Sequence, residues 1–350
     1  DLLRKRAIKL RDYQQEAIDK SLSYFKDHDR GKLIMAPGTG KTFTSLKIAE
    51  ALMKDQKKGN FNVLYLVPSI QLLSQTLFNW NDDHAESIYM NSFSVVSDRK
   101  ATKQKHGKDD LSAKDIGFPA TTNVDDLLSN FQKIKQNENY QMNIIFSTYQ
   151  SIDVVHKAQN SGLPEFDLIV ADEAHRTTGA NEMGDPSVFT KVHSNKNVKS
   201  KLRLYQTATP KVYGVEAKKK AHEQSVVISS MDDEKLYGQV IFHLGFGDAV
   251  NMGYLTDYKV SVLAVSEQYV NKTLQATLSS DNELKTDDPG KIIGVWNAMV
   301  KRNGLNGEIK GAPMKRAIAF TDTIAHSKEI AKEFNNVVND YLGKEADESF

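Results

Sequence analysis

Short apolar runs alternate with amphipathic stretches along most of the chain, and that alternation predicts strands and helices in turn. Runs at 33–36, 63–67, 93–96, 143–146, 166–171, 202–205, 240–244 and 259–265 read as strands, most of them too apolar to face water. Residues 13–25 place Ala17, Ile18, Leu22 and Phe25 on one side of a helix. Stretches 43–53 and 69–80 read as helices that follow strands, and 123–135 repeats Val124, Leu127, Leu128, Phe131 and Ile134 at helical spacing. Two segments break the rhythm. Residues 98–119 are polar and lysine-rich, the pattern of a surface insertion. Residues 271–311 form a polar, partly helical connector containing Asp287-Asp288-Pro289-Gly290. A new strand at 317–320 and a helix at 324–338 follow it. Strand–helix alternation of this kind predicts an α/β fold with a parallel sheet.

The chain has 350 residues, enough for roughly two domains of about 150 each. Apolar residues make up 39% and charged residues 26%, so a sizeable core can form. There is no cysteine, which excludes disulfides and thiolate metal sites and fits a reducing, cytoplasmic setting. No apolar run reaches membrane-spanning length, so no membrane partner is expected. A formal net charge of +1 gives no basic footprint over the whole chain, although a local groove can still be positive. The opening Asp1-Leu2-Leu3 lacks an initiator Met, and the last strand–helix pair is followed closely by Phe350. Both ends read as cuts in a longer polypeptide.

Candidate chemistry enters with Met35-Ala36-Pro37-Gly38-Thr39-Gly40-Lys41-Thr42, between a predicted strand and a predicted helix. A glycine-rich turn in that position is a phosphate cradle, because its N–H groups converge on an anion at a helix N-terminus. Lys41 reaches terminal phosphates and the Thr42 hydroxyl suits Mg²⁺. Met35 stands where the usual loop opens with glycine, leaving Gly38 and Gly40 to supply the permissive backbone. A second signal is Leu168-Ile169-Val170-Ala171-Asp172-Glu173-Ala174-His175, a buried strand ending in two carboxylates. At such a strand end the first acid suits Mg²⁺, through water, and the second suits activation of the attacking water.

The acid pair and phosphate loop together resemble the motor core of superfamily 2 helicases and translocases. The resemblance extends over about residues 8–335, and other hallmarks fall in the family's order. Leu10-Arg11-Asp12-Tyr13-Gln14 resembles the Q motif, which implies that Gln14, with Arg11, reads adenine. Val67-Pro68-Ser69-Ile70-Gln71-Leu72-Leu73-Ser74-Gln75 resembles motif Ia and Ser147-Thr148-Tyr149-Gln150-Ser151 motif Ib. Thr207-Ala208-Thr209-Pro210 resembles motif III, and Ala317-Ile318-Ala319-Phe320-Thr321-Asp322 motif IV. The implied fold is a RecA-like P-loop domain over 1–265, a connector over 266–312, and the start of a second RecA-like domain over 313–350. ATP and Mg²⁺ are the implied cofactors. Pro68, Ser69, Gln71, Ser147, Thr148, Tyr149 and Thr321 become candidate contacts to a nucleic-acid backbone, which fix position and not sequence. Thr207, Ala208, Thr209 and His175 would couple the two sides.

Arg176-Thr177-Thr178-Gly179, Tyr237-Gly238, Phe246-Gly247-Asp248-Ala249-Val250 and Gly253-Tyr254-Leu255-Thr256-Asp257-Tyr258 are similar to restriction-enzyme motors, in particular the single-chain type ISP class. That resemblance implies translocation on double-stranded DNA, with a nuclease and a methyltransferase elsewhere on the polypeptide. A strand-separating DNA or RNA helicase and a nucleotide-gated clamp use the same motifs. Glu216-Ala217-Lys218 has a nuclease-like spacing but no well-placed partner acid, and reads as a solvated helix face. No arginine follows Arg316, so arginines of the kind that close the site in the family are missing. Weak hydrolysis is expected of this segment.

Overall fold

The computed structural model describes residues 9–96, 120–135, 140–182, 187–216, 226–258, 288–301 and 312–348. The first compact unit runs to Asp257 and the second from Tyr258.

The first unit is built on one eight-stranded sheet. Its strands are β1 (Arg30–Met35), β2 (Asn60–Val67), β3 (Ile88–Val95), β4 (Ala120–Thr121), β5 (Tyr140–Thr148), β6 (Phe166–Ala171), and β8 (Ser200–Thr207) and β10 (Gln239–Leu244), the last two flanking β1. The spatial order is β10-β1-β8-β6-β2-β5-β3-β4. Every pairing in it is parallel. β7 (Gly179–Glu182) and β9 (Val226–Ser229) form a separate antiparallel pair.

Parallel neighbours need long crossovers, and helices supply them. α2 (Lys41–Asp55) leads from β1 to β2, α3 (Ile70–Asp83) from β2 to β3, and α5 (Ile152–Asn160) from β5 to β6. α1 (Asp12–Tyr24) and α4 (Val124–Gln132) add to the layers, and short helices α6 (Glu234–Tyr237) and α7 (Phe246–Asn251) bracket β10. Successive strand residues supply two cores. Val63, Tyr65 and Val67 join Ala17, Leu46 and Trp80 on the face covered by α1, α2 and α3. Leu64 and Leu66 join Leu127, Val155 and Ala158 on the face covered by α4 and α5. Burial on both faces explains why the strands read as continuous apolar runs rather than alternating ones.

The second unit contains α8 (Asp288–Val300) and α9 (Ile324–Glu348), packed through Ile292, Ile293, Val337, Val338 and Tyr341. One expectation fails here. Residues 317–320 form no strand, and Ile318 and Phe320 are 84% and 92% exposed. A strand is a hydrogen-bonded ladder, and these residues have no described partner strand. Within the stretch expected to be partly helical, Asp288-Pro289-Gly290 opens α8, since proline suits a helix's first turn, where its missing N–H is no loss. The strand expected at 259–265 and the insertion at 98–119 lie outside the described residues. No helix among the described residues is long and apolar enough to cross a membrane.

Candidate nucleotide site

The phosphate loop leaves the C-terminal end of β1. Gly38 (φ +80°) and Gly40 (φ +81°) take left-handed backbone that a side chain would oppose. The turn is held by three hydrogen bonds, two to neighbouring elements and one within the loop. Ala36 N–H donates to the Leu244 carbonyl on β10 at 2.9 Å. Thr39 Oγ1 donates to the Ala36 carbonyl at 2.6 Å. From α1, the Tyr13 hydroxyl donates to the Thr39 carbonyl at 2.7 Å. A Cβ on Gly40 would stand 2.8 Å from Gln14 Nε2, so this glycine also lets α1 press onto the loop. Pro37 and Gly38 are exposed, and Lys41 and Thr42 are half-buried at the start of α2.

Gln14 is only 4% exposed, and both ends of its amide are engaged within the chain. Nε2 donates to Thr39 O and Thr44 Oγ1 at 3.5 and 3.4 Å, and Oε1 accepts from Arg11 N–H at 3.0 Å. The first two are long bonds that a base can displace. The Arg11 guanidinium lies 5.2 Å from the centre of the Tyr254 ring, and the Tyr13 ring meets the same tyrosine edge-on. Leu255 stands against Gly38. Tyr254 and Leu255 belong to the loop geometry but were legible only as part of a family-like segment.

The acid pair follows β6, two strands from β1 across β8. Asp172 is 7% exposed, and burial pushes its carboxyl up to about 6 despite hydrogen bonds from Gln206 and the Glu173 N–H. Glu173 is half-buried and holds φ +48°, an uncommon value for a side-chain-bearing residue, fixed in part by its N–H donating to Asp172 Oδ1 at 2.9 Å. His175 Nδ1 lies 2.9 Å from Thr207 Oγ1, at the end of β8, and 3.3 Å from Glu173 Oε2. Burial lowers the His175 pKa, favouring the neutral ring and a hydrogen bond to Thr207 over an ion pair. Thr207 Oγ1 also accepts from Thr209 N–H at 3.2 Å, and Ala208 between them is half-buried. The structure thus joins the second acid, His175 and the Thr207–Thr209 turn.

These residues fit Mg²⁺. The cation takes oxygen donors, which Thr42 and Asp172 offer, and Asp172 is a carboxylate whose ionised form burial disfavours. A divalent ion supplies the charge that reverses that penalty. Among the described residues no group of three or more histidine or acidic side chains is gathered as a metal cage.

The candidate backbone contacts divide. Ser69 and Gln71 are exposed at the start of α3, beside buried Pro68. Ser147, Thr148 and Tyr149 are turned inward, at 0%, 4% and 0% exposure. Tyr149 donates its hydroxyl to the Asp172 carbonyl at 2.8 Å, and Thr148 Oγ1 pairs with Ser151 Oγ. Their side chains face inward, because β5 is buried on both faces and Tyr149 packs in the turn that follows it. Thr321, in the second unit, is exposed, and its hydroxyl donates to the Thr323 carbonyl. Ala217 and Lys218 of the nuclease-like triplet lie outside the described residues.

A parallel sheet with a phosphate loop on one strand and an acid pair two strands away defines the ATPase core of superfamily 2 helicases. Residues 7–212 match the family described as "Type III restriction enzyme, res subunit", and the chain belongs to it. It is similar to two solved type ISP restriction-modification enzymes. With LlaBIII, solved bound to DNA, it shares 53% identity and a TM-score of 0.80 over 96% of this chain and 22% of that one. With a nuclease-deletion mutant of LlaGI, solved with a DNA substrate mimic, the values are 48% and 0.66 over 95% and 22%. A probable helicase, A859L of African swine fever virus (isolate Tick/Malawi/Lil 20-1/1983), is 28% identical over 93% of this chain and 31% of its own length. The chain thus spans under a third of each of these relatives.

Proposed function

We propose that this chain is the ATP- and Mg²⁺-driven motor segment of a restriction-modification enzyme, moving along double-stranded DNA. The observation that carries the reading is that Lys41 and Thr42 after β1 and Asp172 and Glu173 after β6, two strands away across β8, share one edge of the parallel sheet, with His175 tied to Thr207 at the end of β8. In this reading Pro37, Gly38, Thr39, Gly40 and Lys41 cradle the phosphates, and Gln14 with Arg11 faces adenine. Thr42 and Asp172 hold Mg²⁺ through oxygen, and Glu173 orients and deprotonates water. His175, Thr207, Ala208 and Thr209 pass the state of that water site toward Ser69 and Gln71. The tail from 313 onward starts a second RecA-like domain, with Thr321 on its DNA-facing side. Further nuclease and methyltransferase domains, and a cytoplasmic location, go with this reading.

Support comes from the DNA-bound state of the two similar restriction enzymes. The viral relative's name favours a second reading, strand separation. Triplex displacement distinguishes them: a translocase strips a third strand and leaves the duplex paired, whereas a helicase yields single strands. Absence of any Mg²⁺-dependent binding of adenine nucleotide, measured by calorimetry on folded protein, would overturn both.

A further inference from the structure

Under the acid pair, on the face covered by α1, α2 and α3, lies a polar cluster that none of the recognised motifs contains. Tyr65 on β2 and Gln206 on β8 stand two strands apart, with β6 between them. The β6–β8 register pairs Ala171 with Tyr205, which sets Gln206 beside Asp172. Both side chains are fully buried. Gln206 Nε2 donates to the Tyr65 hydroxyl at 2.5 Å, and the same amide hydrogen-bonds the Asp172 carboxylate. The Tyr65 hydroxyl in turn lies in the electrostatic neighbourhood of the Thr42 and Ser45 side chains. The backbone of Thr42 is held as well, its carbonyl accepting from Trp80 Nε1 at 3.1 Å and Ser45 Oγ at 3.0 Å.

A line of buried polar neighbours therefore leads from Asp172 through Gln206 and Tyr65 toward Thr42. Around it the same face is apolar, with Val63, Val67, Val170 and Leu204 fully buried. Packing alone would be served better by a leucine or methionine than by an amide, because burying polar groups is unfavourable unless each is satisfied. Gln206 Oε1 has no hydrogen-bond partner among the described residues, so the amide is retained despite an open acceptor. Its N–H groups are what the site uses.

We propose that Gln206 and Tyr65 are positioning residues for the magnesium-holding pair: anchored on the Tyr65 hydroxyl, the Gln206 amide sets the direction of the Asp172 carboxylate relative to Thr42. The inference rests on the nucleotide reading above. Partners of this outer kind usually govern metal affinity by about ten- to a hundredfold.

The test is calorimetric titration of a non-hydrolysable ATP analogue into the whole chain, at stepped Mg²⁺ concentrations and in EDTA. Gln206→Met keeps the volume and removes the donors, and Tyr65→Phe removes one hydroxyl. We expect Gln206→Met to raise the half-saturating Mg²⁺ concentration roughly tenfold. Tyr65→Phe shifts it in the same direction, and nucleotide affinity in EDTA stays unchanged in both. A merely structural role would weaken binding equally with and without Mg²⁺, and that result overturns the proposal, as does an unchanged Mg²⁺ requirement. If thermal melting shows Gln206→Met to be unfolded, Tyr65→Phe decides alone. A parent chain that binds no nucleotide at any Mg²⁺ concentration sinks the nucleotide reading itself, a result distinct from variants that merely ignore the metal.

Discussion

The ends of β1, β6 and β8 and the ends of β2 and β5 lie on the same edge of one sheet, yet they treat their polar residues in opposite ways. At the first group, polar side chains meet partners inside the protein: Gln14 on α1 donates to the Thr39 carbonyl of the loop, His175 pairs with Thr207, and Gln206 on β8 reaches inward to Tyr65 on β2. At the second group, Ser147, Thr148 and Tyr149 turn into the protein while Ser69 and Gln71 face solvent. A site that holds charge needs preorganised donors in a dry setting, and burial with mutual hydrogen bonds supplies it. A surface that grips a phosphate backbone needs accessible groups and little else. Polar residues at a strand end are therefore poor indicators of surface contact until their direction is known.

The largest way to break the contrast is Glu173→Gln. Removing a general base while keeping its shape lowers ATP turnover by about 10²-fold or more and leaves nucleotide binding intact, read by steady-state hydrolysis beside calorimetry. Turnover that survives would place the base elsewhere.

Next is Asp172→Asn in the nucleotide-free chain. The folded carboxyl ionises at about 6 against an ordinary 3.8. Below pH 4 both states are protonated and nothing is lost. As pH rises through 6, the folded state is forced to ionise a group that the unfolded chain ionises more readily, and stability falls by about 3 kcal/mol. Asp172→Asn removes that loss, so its melting temperature at pH 7.5 rises by a few degrees while Mg²⁺-dependent binding fails. His193 has the opposite sign. Burial holds it down to about 4 from 6.5, so its contribution is complete above pH 6.5 and disappears as pH falls toward 4. The two effects oppose each other in the parent chain. Asp172→Asn should therefore show a steeper loss of stability from pH 6.5 to 4, measured by melts across pH.

A smaller effect is expected of Tyr13→Phe, which deletes the hydroxyl bonded to Thr39 O. We expect about 1 kcal/mol of destabilisation together with weaker nucleotide binding, because the loop loses one of its three ties. The smallest effect sharpens the other half of the contrast. Ser69→Ala with Gln71→Ala lowers DNA affinity a few-fold without moving the melting temperature. Ser147→Ala moves the melting temperature and not the affinity. The reverse pattern would overturn the assignment of these residues to surface and interior.

Much of this was legible in the chain. The strands at 63–67 and 166–171 were marked by apolar runs that only two-sided burial explains, and 166–171 coincides with β6 end to end. The phosphate loop and acid pair were legible because their chemistry demands particular residue types at short spacing. Residues 317–320 carry the same apolar signature as β6 and yet form no strand, because the signature reports an affinity for burial and not a ladder partner. Tyr149 looked like a hydroxyl for gripping phosphate, and nothing in the chain said that its hydroxyl donates to the Asp172 carbonyl. Gln206 and Tyr65 gave no signal: Tyr65 sits inside the apolar run 63–67 and Gln206 just beyond the run 202–205, with nothing to say that they meet.

By itself, then, the order of residues determined the alternating elements, the loop that cradles phosphate and the two adjoining acids, since each depends on groups near one another in the chain. Tertiary structure alone decided that residues 65, 172 and 206 share one face, that Gln14 lies under Gly40, and that His175 meets Thr207. Those contacts depend on strand order and register, which arise only when distant segments pair and bury a common core.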